Sequence, residues 1–177
     1  MEDVDDTTHP NIAEDNKFED AFEKLAAHAS SANEVFVVHG QDNAAREEIA
    51  RFLEKAGLIP IVLHEQANEG KTVIEKFERH AARINFAVVL LTPDDEGGPT
   101  GGAMRPRARQ NVIAELFYFM GKLGRSRVCA LKKGELEIPS DIAGLVYTPL
   151  DAAGGWKAPL LRELERAGYT VRWDALR

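Results

Sequence analysis

From residue 33 onward the chain alternates short, β-branched apolar runs with stretches of helical periodicity, and this alternation limits what it can fold into. Apolar runs at 35–38, 58–63, 86–91 and 128–131 are separated by helical patterns at 44–56, 72–83 and 106–123. A further run at 145–147 precedes a helical pattern at 156–167, with a short segment near Asp141 before it. Strands joined through helices run parallel, because each crossover returns the chain to the same end of the sheet. Gly57, Gly124 and Gly168 each stand where a helix should stop. Right-handed crossovers place helices on both faces, which predicts a flavodoxin-like α/β three-layer sandwich around a five-stranded parallel sheet of order 2-1-3-4-5.

The length of 177 residues suits one domain with a buried core. Residues 1–16 are acidic, carry Pro10 and have almost nothing apolar to bury, so they read as a disordered tail. Phe18, Phe22, Leu25 and Ala26 line up as one apolar stripe, so 17–32 reads as a short amphipathic helix and linker, leaving 33–177 as the domain. The single cysteine, Cys129, lies inside an apolar run and reads as a buried thiol, so no intrachain disulfide is possible. The opening Met-Glu-Asp-Val-Asp-Asp is not a secretory signal and no apolar run approaches membrane-spanning length. The chain therefore reads as soluble and cytoplasmic, with no membrane partner. A net charge of -7 argues against nucleic acid as a partner.

Sheets of this type bind ligands beyond the carboxyl ends of the strands where the winding reverses. Those ends are His39-Gly40-Gln41-Asp42 and Thr92-Pro93-Asp94-Asp95. Two tempting motifs nearby fail. Gly70-Lys71-Thr72 ends like a phosphate-binding loop, but Glu65 stands where that loop needs glycine, and it follows the second strand instead of the first. His64-Glu65 opens like a zinc-protease helix, but Asn68 stands where the second histidine is required, so no metal site is expected. The polar stretch 64–70, with His64, Glu65, Gln66, Asn68 and Gly70, fits a lid or contact surface and equally an ordinary βα connection.

The strongest local signal is Arg105-Pro-Arg-Ala-Arg-Gln-Asn-Val-Ile-Ala-Glu-Leu-Phe-Tyr-Phe-Met120, launched from the glycine-rich stretch 97–102. A helix N-terminus already favours negative charge, so Arg105, Arg107 and Arg109 there suggest a docked anion such as a pyrophosphate; solvated loop arginines are the alternative. Val112, Leu116, Phe119 and Leu123 form an apolar stripe, widened by Ile113 and Met120. Glu115 lies at its edge beside Asn111, half desolvated and aimed at the crevice; a rim glutamate paired with Lys122 or Arg109 is the competing reading.

Several long segments in order resemble the TIR-like domain of bacterial effectors of cyclic-nucleotide-triggered antiphage defence, the CBASS and Pycsar systems. They are Val35-Phe-Val-Val-His-Gly-Gln-Asp42, Leu63-His-Glu-Gln-Ala-Asn-Glu-Gly70, Phe86-Ala-Val-Val-Leu-Leu-Thr-Pro-Asp-Asp95, Arg107-Ala-Arg-Gln-Asn-Val-Ile-Ala-Glu115 and Tyr118-Phe-Met-Gly-Lys-Leu-Gly-Arg125. The resemblance implies an NAD⁺ glycohydrolase whose catalytic glutamate is Glu115, with NAD⁺ as substrate and no cofactor. It also implies that the 64–70 loop stacks subunits into a homo-oligomer, and that a cyclic-nucleotide-sensing domain or partner supplies the trigger. The chain is then a piece of a longer effector or a stand-alone member triggered by another protein.

Because the nicotinamide of NAD⁺ departs neutral, a single carboxylate suffices, unlike the paired carboxylates of ordinary glycosidases. Arg105 or Arg109 and the amides around Gly40, next to His39, are candidates for the pyrophosphate, and Asp42, Asp94 and Asn111 for the riboses. Two other readings stand beside hydrolysis: a non-enzymatic TIR interaction module, and a TIR enzyme making cyclic ADP-ribose or a base-exchange product.

Overall fold

A computed structural model describes residues 33–63, 73–139 and 147–177, apart from the side chains at 73, 74 and 76. The expected tail 1–16, the helix 17–32, the 64–70 loop and the segment near Asp141 lie outside these residues. In chain order the elements are β1 (Glu34–Val38), α1 (Asn43–Lys55), β2 (Ile59–Val62), α2 (Val73–Arg83), β3 (Ala87–Leu91), β4 (Asp95–Gly97), β5 (Arg105–Arg107), α3 (Gln110–Leu123), β6 (Val128–Lys132), β7 (Thr148–Pro149) and α4 (Lys157–Arg166).

The main sheet runs β2-β1-β3-β6-β7 and every pairing in it is parallel. With the β4–β5 hairpin standing apart, this is the expected 2-1-3-4-5 order. The central strands are buried on both faces, which is why they read as unbroken apolar runs. Alternate residues divide between two cores. Val35, Val37, Val88, Leu90 and Leu131 pack under Ile49, Phe52 and Leu53 of α1 and Leu160, Leu161 and Leu164 of α4. Phe36, Val38, Val89 and Leu91 face the other way, under Ala81 of α2 and Val112, Leu116 and Phe119 of α3. Gly57, Gly124 and Gly168 all adopt positive φ just past helices, as expected of helix stops.

The two helix pairs are anchored differently. Asp42 caps α1, its Oδ1 accepting from the Ala45 amide at 2.9 Å. Past the other end of α1, the Arg172 amide donates to the Ala56 carbonyl and the Arg172 guanidinium donates to the Lys55 carbonyl, at 2.9 and 2.6 Å. At the amino edge of the sheet the buried Glu34 carboxylate meets Arg83 at 2.9 Å, and Tyr169 Oη donates to the Glu34 carbonyl at 2.9 Å.

One expectation is corrected. The helix expected over 106–123 begins only at Gln110, and Arg105 and Arg107 instead lie on β5, paired antiparallel with β4. Pro106 is the reason: it lacks an N–H and pushes its predecessor into an extended conformation. Of the last strand expected at 145–147, residues 145 and 146 lie outside the described residues; the edge strand described is Thr148–Pro149, with Leu131 opposite Thr148. Pro149 cannot donate to the ladder, which suits it to an edge strand.

Candidate active site

The carboxyl ends of β1 and β3 meet through one side chain. Asp94 Oδ2 accepts from the Gln41 amide at 3.1 Å and from Thr92 Oγ1 at 2.7 Å. A methyl group at Gly40 would run into that same oxygen, so glycine is required for the two loops to approach. At least one amide of the first turn, expected to face a pyrophosphate, is therefore already occupied by the protein's own carboxylate. His39 Nδ1 donates locally to the Gly40 carbonyl at 2.8 Å.

Asp42 is likewise engaged. Besides capping α1 it pairs with Lys133, whose Nζ lies 2.5 Å from Oδ2. The Lys133 amide bonds the Leu91 carbonyl, so this lysine reaches from the end of β6 across the end of β3 to the loop after β1. The Lys133 ammonium, helped by the Ala45 amide, holds the Asp42 carboxyl below its usual pKa. Lys133 was not singled out from the sequence. Its only signal there is a pair of lysines closing an otherwise apolar run.

Glu115 sits one and a half turns into α3. The edge of α3 that carries it also carries Tyr118 and Lys122, and that edge faces α2. Tyr118 packs on Phe77 of α2 with ring centroids 4.9 Å apart, and Lys122 donates its ammonium to the Ala81 carbonyl. Phe36 and Phe119 complete an aromatic cluster with Phe77 beneath this contact. Sequence periodicity placed 72–83 in a helix but gave no reason to single out Phe77, because which helices pair is a tertiary fact.

The expected rim pairing of Glu115 does not form. Lys122 bonds a carbonyl, no hydrogen bond or ion pair to Glu115 forms among the described residues, and burial alone pushes its pKa up to about 7. Asn111, one turn earlier on the same edge, is exposed, and Arg109 is the exposed N-cap residue of α3, with no side-chain capping bond. Arg105 is exposed on the hairpin, away from the helix start where it was expected.

The sequence-derived residues thus separate into groups. Glu115 and Asn111 share one edge of α3, with Arg109 at the helix start; Asp42 and Asp94 brace the loops; Arg105 stands on β5; and His64, Glu65, Gln66, Asn68 and Gly70 lie outside the described residues. No group of three or more His, Cys, Asp and Glu side chains suited to a metal occurs among the described residues. Among the same residues no helix is long and apolar enough to cross a membrane.

A five-stranded parallel sheet wound in this order, with a half-buried carboxylate on the helix after its central strand, has the architecture of a TIR-like domain. Residues 34–152 match the model of the CAP12/Pycsar effector protein TIR domain, and the chain belongs to that family. It is 51% identical over 144 residues to the uncharacterized protein YuaY of Escherichia coli K12, covering 81% of this chain and 48% of that one. It is 36% identical over 124 residues to protein tirC of Dictyostelium discoideum, covering 64% of this chain and 62% of that one. The Pycsar effector protein BcPycTIR of Burkholderia cepacia is 37% identical over 78 residues, 43% of this chain and 25% of its own. The chain thus spans about half the length of its Escherichia coli relative.

Proposed function

We propose that this chain carries the NAD⁺-cleaving activity of a cytoplasmic antiphage effector and that Glu115 is its catalytic residue. The observation that carries the reading is a half-buried carboxylate beside the aromatic contact of α2 and α3, with no partner among the described residues and its pKa raised to about 7 by burial. Such a group gains most from a cation delivered by the substrate, and the nicotinamide ring of NAD⁺ is one. Arrival of the ring favours the ionised carboxylate, reversing the effect of burial. The C1′–N bond then breaks with both electrons moving to the ring, nicotinamide leaves neutral, and the negative charge of Glu115 stabilises the oxocarbenium-like ribose. Water adds at C1′ and its proton passes to Glu115 or to solvent.

Asn111, on the same edge of α3, is the proposed ribose contact, and Arg109 at the helix start the proposed phosphate contact. His39 and Gly40 form the opposite wall, while Asp42 and Asp94 hold that wall in place. Assembly through the 64–70 loop and a cyclic-nucleotide trigger supplied by a further domain or partner belong to the same proposal. The Pycsar effector names of two relatives support the antiphage-effector part of this reading.

The test is chromatography of NAD⁺ incubated with concentrated wild-type protein and, in parallel, with Glu115→Gln. Free nicotinamide with wild type alone is expected. Nicotinamide released equally by both proteins removes Glu115 from the chemistry, and no release by wild type at any protein concentration or with cyclic nucleotides present leaves the interaction-module reading in its place. The mass of the second product, ADP-ribose or its cyclic form, separates hydrolysis from cyclisation.

A further inference from the structure

The opposite edge of α3 holds a second polar construction. Arg107, on β5, lays its guanidinium against Gly97 of β4 so closely that a methyl group there would meet Nε, Cζ and Nη1. Its Nε is shut off from solvent and has no hydrogen-bond partner among the described residues. Beside it opens a cavity of about 230 Å³ lined by Arg107, Ala108, Gln110, Ile113, Glu137 and Pro139. The strand position of Arg107 is fixed from both sides, by its pairing with Asp95 and by its bridge to Glu137.

Arg107 lines this cavity and makes no side-chain hydrogen bond or ion pair among the described residues, so an oxyanion entering it would give the guanidinium a charge-assisted partner. Gln110 adds a side-chain donor, and the first turn of α3, which Arg109 leaves uncapped, adds to the positive potential. Ala108, Ile113 and Pro139 give the cavity apolar walls. Glu137 is exposed, so its charge is screened, and its carboxylate is an acceptor suited to hydroxyl groups. Ligand sites for drug-sized molecules usually measure roughly 300–1,000 Å³, so this smaller cavity suits a single phosphorylated sugar better than a dinucleotide.

We propose that this cavity is a second ligand site, independent of the Glu115 groove, that takes the phosphate monoester of a small sugar. The phosphate lies against Arg107 and Gln110, and the sugar hydroxyls donate to Glu137. Independence follows from helix geometry: Ile113 and Glu115 are two residues apart on α3 and point to opposite sides. The proposal does not depend on the NAD⁺ reading.

The test is titration of the full chain with ribose 5-phosphate, inorganic phosphate and ribose, followed by calorimetry and by amide NMR shifts. Saturable binding of ribose 5-phosphate is expected, with shifts centred on 108–113 and at least about tenfold tighter binding than inorganic phosphate or ribose alone. Arg107→Met is expected to weaken it at least about tenfold, since a charge-assisted pair is lost. Gly97→Ala serves as the second variant: it keeps every residue proposed to touch the ligand and displaces only the Arg107 guanidinium, so it should weaken binding comparably. Glu137→Gln should weaken ribose 5-phosphate and leave inorganic phosphate unchanged, and Glu115→Gln should leave both unchanged. No saturation by ~10 mM overturns the proposal, as does undiminished binding in folded Arg107→Met or Gly97→Ala. Inorganic phosphate binding as tightly as the sugar phosphate overturns the assigned ligand class. Loss of binding in Glu115→Gln overturns the independence of the site.

Discussion

The two faces of the sheet are built to different ends. Under α1 and α4 the core is closely packed: Trp156 is fully buried, its ring meets that of Phe52 edge-on at 5.0 Å, and Lys157 lies over both rings. A surface pocket of about 460 Å³ lies outside this core, between α1 and the C-terminal residues. Both ends of α1 are tied down by Asp42 and Arg172. Under α2 and α3 the inner residues are as well buried, but the rim is left open. Among the described residues Glu115 has no cation partner, and Phe117 and Tyr118 are 42% and 39% exposed. Each face keeps a buried polar atom without a hydrogen-bond partner among the described residues, Trp156 Nε1 on the first and Arg107 Nε on the second; what sets the second apart is the half-buried Glu115 carboxylate. Stability and chemistry are thereby separated by the thickness of one sheet.

The sharpest contrast is predicted for two aromatic truncations. Trp156→Ala removes the largest fully buried side chain and should cost ~3–5 kcal/mol, read as a fall in denaturation midpoint at unchanged slope. Phe77→Ala, in the half-open groove, should cost less, about 1–2 kcal/mol, because the site can relax and admit water. Equal losses would erase the distinction between a closed and an open face.

Glu115→Gln should reverse that pattern, with catalysis lost and folding kept. Removing a charge that acts on the transition state typically costs about 10²–10³ in kcat, which nicotinamide release measures directly. The same variant should melt no lower than wild type at pH 8, since it removes a charge that burial disfavours. A clear loss of stability there would show that Glu115 holds the groove together and does not merely occupy it.

A pH series sharpens this further. The Glu115 pKa rises on folding from 4.5 to about 7, so between those values the folded state binds more protons than the unfolded state. Its contribution to stability therefore falls as pH rises through that window and is flat on either side. The size is about 1–3 kcal/mol, and the comparison is wild type against Glu115→Gln in denaturant titrations across the window. Parallel curves for the two proteins would mean that the carboxylate is solvated.

Much of this division was legible in the sequence, for reasons that also mark where reading stopped. The strands β1, β3 and β6 announce themselves because burial on both faces demands unbroken apolar runs. The half-desolvation of Glu115 follows from its place at the edge of the Val112–Leu116–Phe119 stripe, but its lack of a partner does not. Lys122 lies on the same edge two turns further on and bonds a carbonyl on α2, a choice set by helix packing. The β4–β5 hairpin was missed because its strands are three residues each and rich in charge, with only Pro106 warning that no helix could start there. The Lys133–Asp42 pair joins residues 91 positions apart, beyond the reach of any periodicity.

Asp42 touches both halves of the comparison, so a pair of substitutions there gives the finest test. Asparagine caps helices about as well as aspartate, so Asp42→Asn keeps the α1 cap and removes only the charge facing Lys133. Asp42→Ala removes both. Loss of the cap should cost about 1 kcal/mol, while the part-exposed ion pair should be worth ~0.5 kcal/mol or less. The Asp42 pKa is depressed on folding, so this contribution is present above its ordinary value of 3.8 and disappears as pH falls through the lower folded value. Wild type and Asp42→Asn should therefore converge in acid, while Asp42→Ala stays below both. If Asp42 is scaffold, nicotinamide release by Asp42→Asn stays close to wild type. If release collapses in that variant while its stability holds, Asp42 contacts the substrate, and the boundary between the stabilising and the reactive halves of the molecule runs through the first turn of α1.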